Sequence, residues 1–348
     1  MAAGDFTASQ LGDIIRFQNE FFKKSRVNNH LDQPVETAKT LMALQQVAFD
    51  PIMDSARNCV GQKLVWLKGS GDAVTEDSTA TCTIDGAQFE SASQMVTPNI
   101  KLDTKFSVLD NQCKDKIDTN TKIAYGMLDA KTRLLTALNN KFIAHIDSQL
   151  SDNTTPTTGT WDNTNKWVAV TPAAWTQDLI ASLNLDAIKN KMYNPIILNG
   201  TNFFNAKFNA MYNTLNDNQR DQLAKFNHFN MYWDVRNIDA AVGEKATYVI
   251  DPGVIGFWNQ TEYNTTTPYW NQDDKNTFTW KESVPELQYN DNGTMRDIYV
   301  DVRMQRRCAA NGNNLAFGYY FQVLLRAGLV AAPAPSATDK GILKYVNV

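Results

Sequence analysis

Catalysis or metal binding would have to come from three histidines, four cysteines and the carboxylates, and no local spacing gathers them. His30, His145 and His228 each stand apart from any other nitrogen or sulfur ligand, whereas zinc needs three or four ligands converging on one point. Cys59, Cys82, Cys113 and Cys308 form no CxxC pair. A chain of 348 residues does not need disulfides to hold a core, so they read as free thiols in a reducing compartment. The phosphate loop GxxxxGK[ST], the dinucleotide turn GxGxxG, the zinc helix HExxH and the nucleophile elbow GxSxG are all missing. The sequence assigns no catalytic residue, no cofactor and no metal.

Two groups keep some chemistry. Tyr263, Tyr269, Trp270, Phe278 and Trp280, with Glu262, Asp273 and Asp274, could line a sugar cleft, since carboxylate pairs hydrolyse glycosides and aromatic rings stack on sugars. The same stretch also reads as a polar loop with aromatic anchors. Arg303, Arg306 and Arg307 are too few for a nucleic-acid surface in an acidic chain. They read better as partners of acidic loops on the same or a neighbouring subunit. Lys68, Asp72, Glu76 and Asp77, around a turn-rich tip, complete the set of candidate contact residues between subunits.

The elements that would hold these residues differ along the chain. Leu11 to Lys24 and Val35 to Phe49 read as short helices, with turn formers between them and Asp50-Pro51 ending the second. Residues 1–60 are therefore an N-terminal arm that leans on something else. Within 61–110, Leu64 to Lys68 and Thr79 to Ile84 read as strands around a Gly69–Asp72 turn, rich in Thr and Ser and poor in large apolar groups. Such an excursion is marginal alone and needs outside support. From 122 to 150, Ile123, Met127, Leu134, Leu138, Phe142, Ile146 and Leu150 keep helical spacing, a helix of roughly 40 Å carrying His145 and weakened locally by Gly126.

Downstream, Thr171-Pro172 opens a helix, Asn194 to Gly200 is a buried strand closed by Asn-Gly, Asn202 to Phe226 is helical, and Thr247 to Ile250 is a strand. Residues 259–283 read as a loop or irregular strands. Ile298, Val300, Val302 and Met304 alternate with Tyr299, Asp301, Arg303 and Gln305, the period of a half-buried strand. Asn290 to Gly293 turns it back on PELQY. Ala309 to Asn314 turns it into Leu315–Leu325, and Gly328 to Pro335 leaves the sheet.

Apolar residues at 43%, charged residues at 20% and a net charge of −4 describe a globular chain, not a collagen, a coiled coil, a disordered tail or a dedicated nucleic-acid binder. No signal peptide and no apolar run near 20 residues is apparent, which predicts a soluble protein with no membrane partner.

The order of these elements resembles the major capsid protein of tailed bacteriophages, the HK97-like fold. Local wording agrees: LTALNNKFIAHIDSQLSDN after the long helix, NPIILNG before the next helix, YVIDPGVIGF, and RDIYVDVRMQRRC with NNLAFGYYFQVLLRAGLV as late strands. The resemblance implies an α+β chain with an N-terminal arm (1–60) and an extended β-hairpin loop, or E-loop (61–110). It implies a peripheral domain (111–170 and 285–328) with a long spine helix at 122–150, and an axial domain (171–284 and 329–348). It implies a structural, non-enzymatic virion protein, assembled in the host cytoplasm from hexamers and pentamers of itself into an icosahedral head. Portal, scaffold or decoration proteins would be partners, and packaged DNA a non-specific one. Some members of that family join subunits by a Lys–Asn bond, and Lys68 lies in the corresponding region. Another self-assembling phage component, of the tail or of the decoration, is the nearest alternative, and a carbohydrate-active enzyme or lectin-like binder the next.

Overall fold

The computed structural model describes residues 35–46, 49–51, 62–68, 90–110, 119–204, 206, 230–270, 277–291, 293–311, 314–333 and 338–348. The chain is mixed α+β. A short helix, α1 (Glu36–Leu44), precedes the long helix α2 (Thr119–Ser148), whose 30 residues make about 45 Å. Ile123, Met127, Leu134, Leu138, Phe142 and Ile146 recur at three- and four-residue steps and multiples of them, and all are buried. Gly126 is the one weak helix former among them, and its role is contact. A Cβ there would lie 2.5 Å from the ring of Phe106, which stacks on Phe321 with centroids 4.7 Å apart. The glycine lets the helix settle on a sheet.

That sheet runs β10 (Ile255–Gln260), β14 (Asn314–Ala331), β13 (Thr294–Asn311), β12 (Thr277–Asp291) and β11 (Tyr269–Trp270), with β4 (Ile100–Asp110) on the other side of β14. One face packs on α2, so each long strand alternates. Ile298, Val300, Val302 and Met304 are buried, while Tyr299, Arg303 and Gln305 are half-exposed. Asp291 pairs with Thr294 across the Asn-Gly turn, where Gly293 takes φ +86°. Pro285 lies in the register break between Val284 and Gln288, where a missing N–H costs the ladder nothing. β14 pairs with β13 as far as Leu324 and with β10 from Arg326, so the sheet forks. Asn259 fills the fork: its amide donates to the Tyr299 carbonyl at 3.1 Å and accepts from the Tyr299 N–H at 2.8 Å. Asn99 does the same for Leu329, and Gln45 for Phe257 on the outer edge of β10.

The second sheet has the order β5 (Thr160–Asp162), β6 (Trp167–Val170), β15 (Ile342–Asn347), β9 (Ala246–Ile250), β7 (Ile196–Asn199) and β8 (Met231–Trp233). Both its faces are covered. Tyr248, Ile250, Ile196, Leu198 and Ile342 join the core around α2. Val249, Ile197, Leu343 and Tyr345 join a second core under α3 (Gln177–Lys189) with Leu179, Ile180 and Leu183. Two-sided burial explains why these strands are unbroken apolar runs. A short helix, α4 (Ile238–Val242), precedes β9.

The remaining strands, β1 (Phe49–Pro51), β2 (Gln62–Lys68) and β3 (Glu90–Val96), form a separate three-stranded antiparallel sheet.

Several sequence expectations are corrected. The helix at 36–44 does not lean outward. Ala38, Leu41 and Met42 lie in the main core, and Asp234 accepts bonds from Thr37 Oγ1 (2.7 Å), Asn139 Nδ2 (2.8 Å) and Asn237 Nδ2 (2.7 Å) beneath it. Residues 100–110 are not part of the β projection, because β4 pairs with β14 along its whole length. The partner of β2 is β3, while 79–84 lies outside the described residues. The helix after Pro172 starts at Gln177. Residues Pro172–Ala174 make only a 3-10 turn, and Thr171 makes no side-chain cap. β14 stays in the sheet to Ala331 because β10 supplies a new partner. The domain limits shift too: β5 and β6 sit in the second sheet, β10 in the first, and β12 runs through position 284. The expected helix at 11–24 lies outside the described residues, as does nearly all of that at 202–226.

Candidate assembly surface

The basic group splits in two. Strand alternation puts Arg303 and Arg307 on the face of β13 turned away from α2, whereas Arg306 shares the face of Val302 and Met304, opposite Tyr319. On the outer face the cross-strand rows are Lys105–Gln322–Arg303 and Ser107–Tyr320–Gln305, followed by Gly318 opposite Arg307. With no side chain at Gly318, the surface dips into an open cleft of about 510 Å³ with Lys105, Arg303 and Arg307 at its walls. Arg307 bonds to Gln305 Oε1 and lies 5.9 Å from the centre of the Tyr320 ring. Lys105 reaches Asp103 at 3.6 Å, with two-thirds of its side chain exposed, a pair of little energetic weight.

Beside the cleft, residues 261–270 cover β12. Asp301 is almost fully buried and accepts from the backbone N–H of Glu262 (2.9 Å) and Tyr263 (3.2 Å). Burial pushes its carboxyl above the usual range, and the amide bonds oppose that shift. Burial also raises the Tyr263 hydroxyl, with Arg303 opposing. Glu262 pairs with Arg326 at 2.6 Å.

This arrangement disperses the expected sugar cleft. Trp280 is buried on the α2 side and Phe278 packs against the same core. Tyr263 and Tyr269 meet edge to face at 6.4 Å on the opposite side. Asp273 and Asp274 lie outside the described residues.

Of the candidate contacts on the projection, Lys68 ends β2, opposite Glu90 of β3. Asp72, Glu76 and Asp77 lie outside the described residues. Sequence reasoning missed Lys105, Tyr320 and Gln322. The alternation in IKLDTKFSVLD would have exposed Lys105, but only the register of β4 on β14 brings it to Arg303.

Rigid polar joints hold this surface to the rest of the molecule. Lys131 of α2 and Glu282 of β12 form a buried ion pair. Asp147, near the end of α2, accepts from Tyr248 (2.8 Å) and pairs with buried Lys344 (2.8 Å), whose ammonium lies 4.7 Å from the Trp167 ring centre. Burial, then Asp147, raises the Tyr248 hydroxyl. Under α3, buried Asp186 accepts from Tyr345 (2.7 Å) and from the backbone N–H of Thr157 (2.8 Å). Cys308 is a free, exposed thiol. Among the described residues no group of side chains could hold a metal ion, and no helix is long and apolar enough to cross a membrane.

No protein-family model and no curated protein matches the chain. Solved structures similar to it include one of Mycobacterium phage Bobi, 15% identical, covering 99% of each chain with a TM-score of 0.46. The capsid asymmetric unit of cyanophage Pam1 is 12% identical over 86% of this chain and 88% of that one, with a TM-score of 0.45. The capsid structure of cyanophage P-SCSP1u is 9% identical over 88% and 87%, also at 0.45.

Proposed function

We propose that this chain is the major capsid protein of a tailed phage, a structural subunit that assembles with copies of itself into an icosahedral head around the genome. The observation that carries the reading is the small sheet of β1, β2 and β3. It hangs from the start of β4 and shares no strand with either large sheet, although an isolated sheet of this size has little stability in water. A neighbour's surface would supply the missing support. The rest suits a shell plate: a long helix laid across a sheet of 15- to 18-residue strands, joined by buried polar pairs to a second sheet.

In this reading α2 is the spine helix of a peripheral domain, the second sheet is the axial domain, and the β2–β3 hairpin is the extended loop. Residues 69–89, between Lys68 and Glu90, contain Asp72, Glu76, Asp77 and Asp85 and no Lys or Arg. This acidic tip docks on a neighbouring copy at the cationic cleft of Lys105, Arg303 and Arg307. Packaged DNA touches the shell only non-specifically, portal and scaffold or decoration proteins meet it at special positions, and assembly takes place in the host cytoplasm.

Negative-stain microscopy of the purified full-length protein tests the reading. Closed shells or ring-shaped capsomers are expected. Tubes would point to a tail component instead, and discrete monomers at every concentration would overturn self-assembly.

A further inference from the structure

β4 is a long strand with one side vacant. It pairs with β14 through eleven residues without a register shift, and no other strand among the described residues lies beside it. Elsewhere the chain covers bare backbone with side-chain amides, as Gln45 does on β10 and Asn99 on β14. A regular free edge of this length is a template for another strand. Its outer-face residues Lys101, Asp103, Lys105 and Ser107 are exposed, and Leu102, Thr104 and Phe106 on the α2 side are half-buried.

The charge order selects the partner. A second copy related by a two-fold axis perpendicular to the sheet would add its own β4 antiparallel, keeping α2 of both copies on one face. Centred on Thr104, the pairing sets Asp103 opposite Lys105 of the second copy and Lys105 opposite Asp103. Leu102 then faces Phe106, and Lys101 faces Ser107. Centred on Asp103, it opposes Asp103 to itself and Lys101 to Lys105. Centred on Lys105, it opposes that lysine to itself. Centred on Phe106 it forms no ion pair, and centred on Leu102 it overlaps only residues 100–104. Opposite charges directly across an antiparallel pair stabilise it and like charges weaken it, so one register is favoured.

We propose that β4 pairs with β4 of a second copy across a two-fold axis at Thr104, fusing two six-stranded sheets into one. The inference rests on the shell reading only in needing a second copy.

Cross-linking and charge exchange test it on the full-length protein. Mild oxidation of the Thr104→Cys variant should give a disulfide between the two positions 104, identified by peptide mass spectrometry, because opposed Cβ atoms are about 4.5–5.5 Å apart. The Ser107→Cys variant, facing Lys101 in this register, should give none to itself. Asp103→Lys and Lys105→Asp should each weaken self-association about tenfold in sedimentation, since the two-fold axis makes each change act twice, and the double exchange should restore it. Self-linking by Leu102→Cys in place of Thr104→Cys, or single exchanges with wild-type association, would overturn the pairing. Shells that form without either signature overturn the pairing and leave the shell reading standing, whereas a chain that is monomeric throughout overturns both.

Discussion

Gly126 separates two effects that compete at one position. Alanine there would favour the isolated helix by about 1 kcal/mol. In the folded chain its methyl group would meet the Phe106 ring, which is itself held against Phe321. The Gly126→Ala variant should therefore lose about 1–2 kcal/mol in urea unfolding, as overpacked sites do, and a more stable variant would show that α2 and β4 are not in tight contact. Side chains of this kind were only half legible. The 3.6-residue period marked which helix positions are buried, and Gly126 stood out as a flaw in it, but the ring that needs the flaw is on a strand some twenty residues upstream. Asp234 was not legible at all. A lone Asp in a polar stretch carries no sign that Thr37 and Asn139 will converge on it.

Among the elements, period was the reliable guide. Alternation in DIYVDVRMQ matched a strand covered on one side, and the unbroken runs in NPIILNG and TYVI matched strands covered on both. Pairing was less legible, because period says which face a strand buries and nothing of its neighbour. The grouping of residues 100–110 with the projection failed for that reason, and it changes a test. Deleting 69–89 and closing the chain with a short turn should spare the thermal unfolding midpoint and abolish assembly. Deleting 61–110 should also remove β4 from the main sheet and unfold the protein. Loss of the fold on the shorter deletion would mean that the tip belongs to the core.

Across the whole molecule, α2 is where both sheets meet, and His145 near its end makes global stability depend on pH. Burial lowers its pKa below the usual imidazole value, and a bond with the Val330 backbone opposes that shift only in part. Its Nε2 is buried with no partner. Protonation thus favours the unfolded chain: this contribution is whole above about pH 6.5 and is lost as pH falls toward the lowered native value. Urea unfolding at about pH 7.5 and about pH 5.5 should show stability falling with acid by at most about 1.4 kcal/mol per pH unit from this group. The His145→Gln variant should lack that part of the slope, and equal slopes in the two proteins would refute the assignment. The amino-acid order alone determined the helix, the late strands, their turns and which faces are apolar, because these follow from local propensity and period. Tertiary structure alone decided that β4 joins the large sheet, that α1 is pinned in the core, that Arg306 parts from Arg303 and Arg307, and that Lys105 joins them. Each of those outcomes depends on strand register and long-range hydrogen bonds, which couple residues far apart in the chain and leave no local trace.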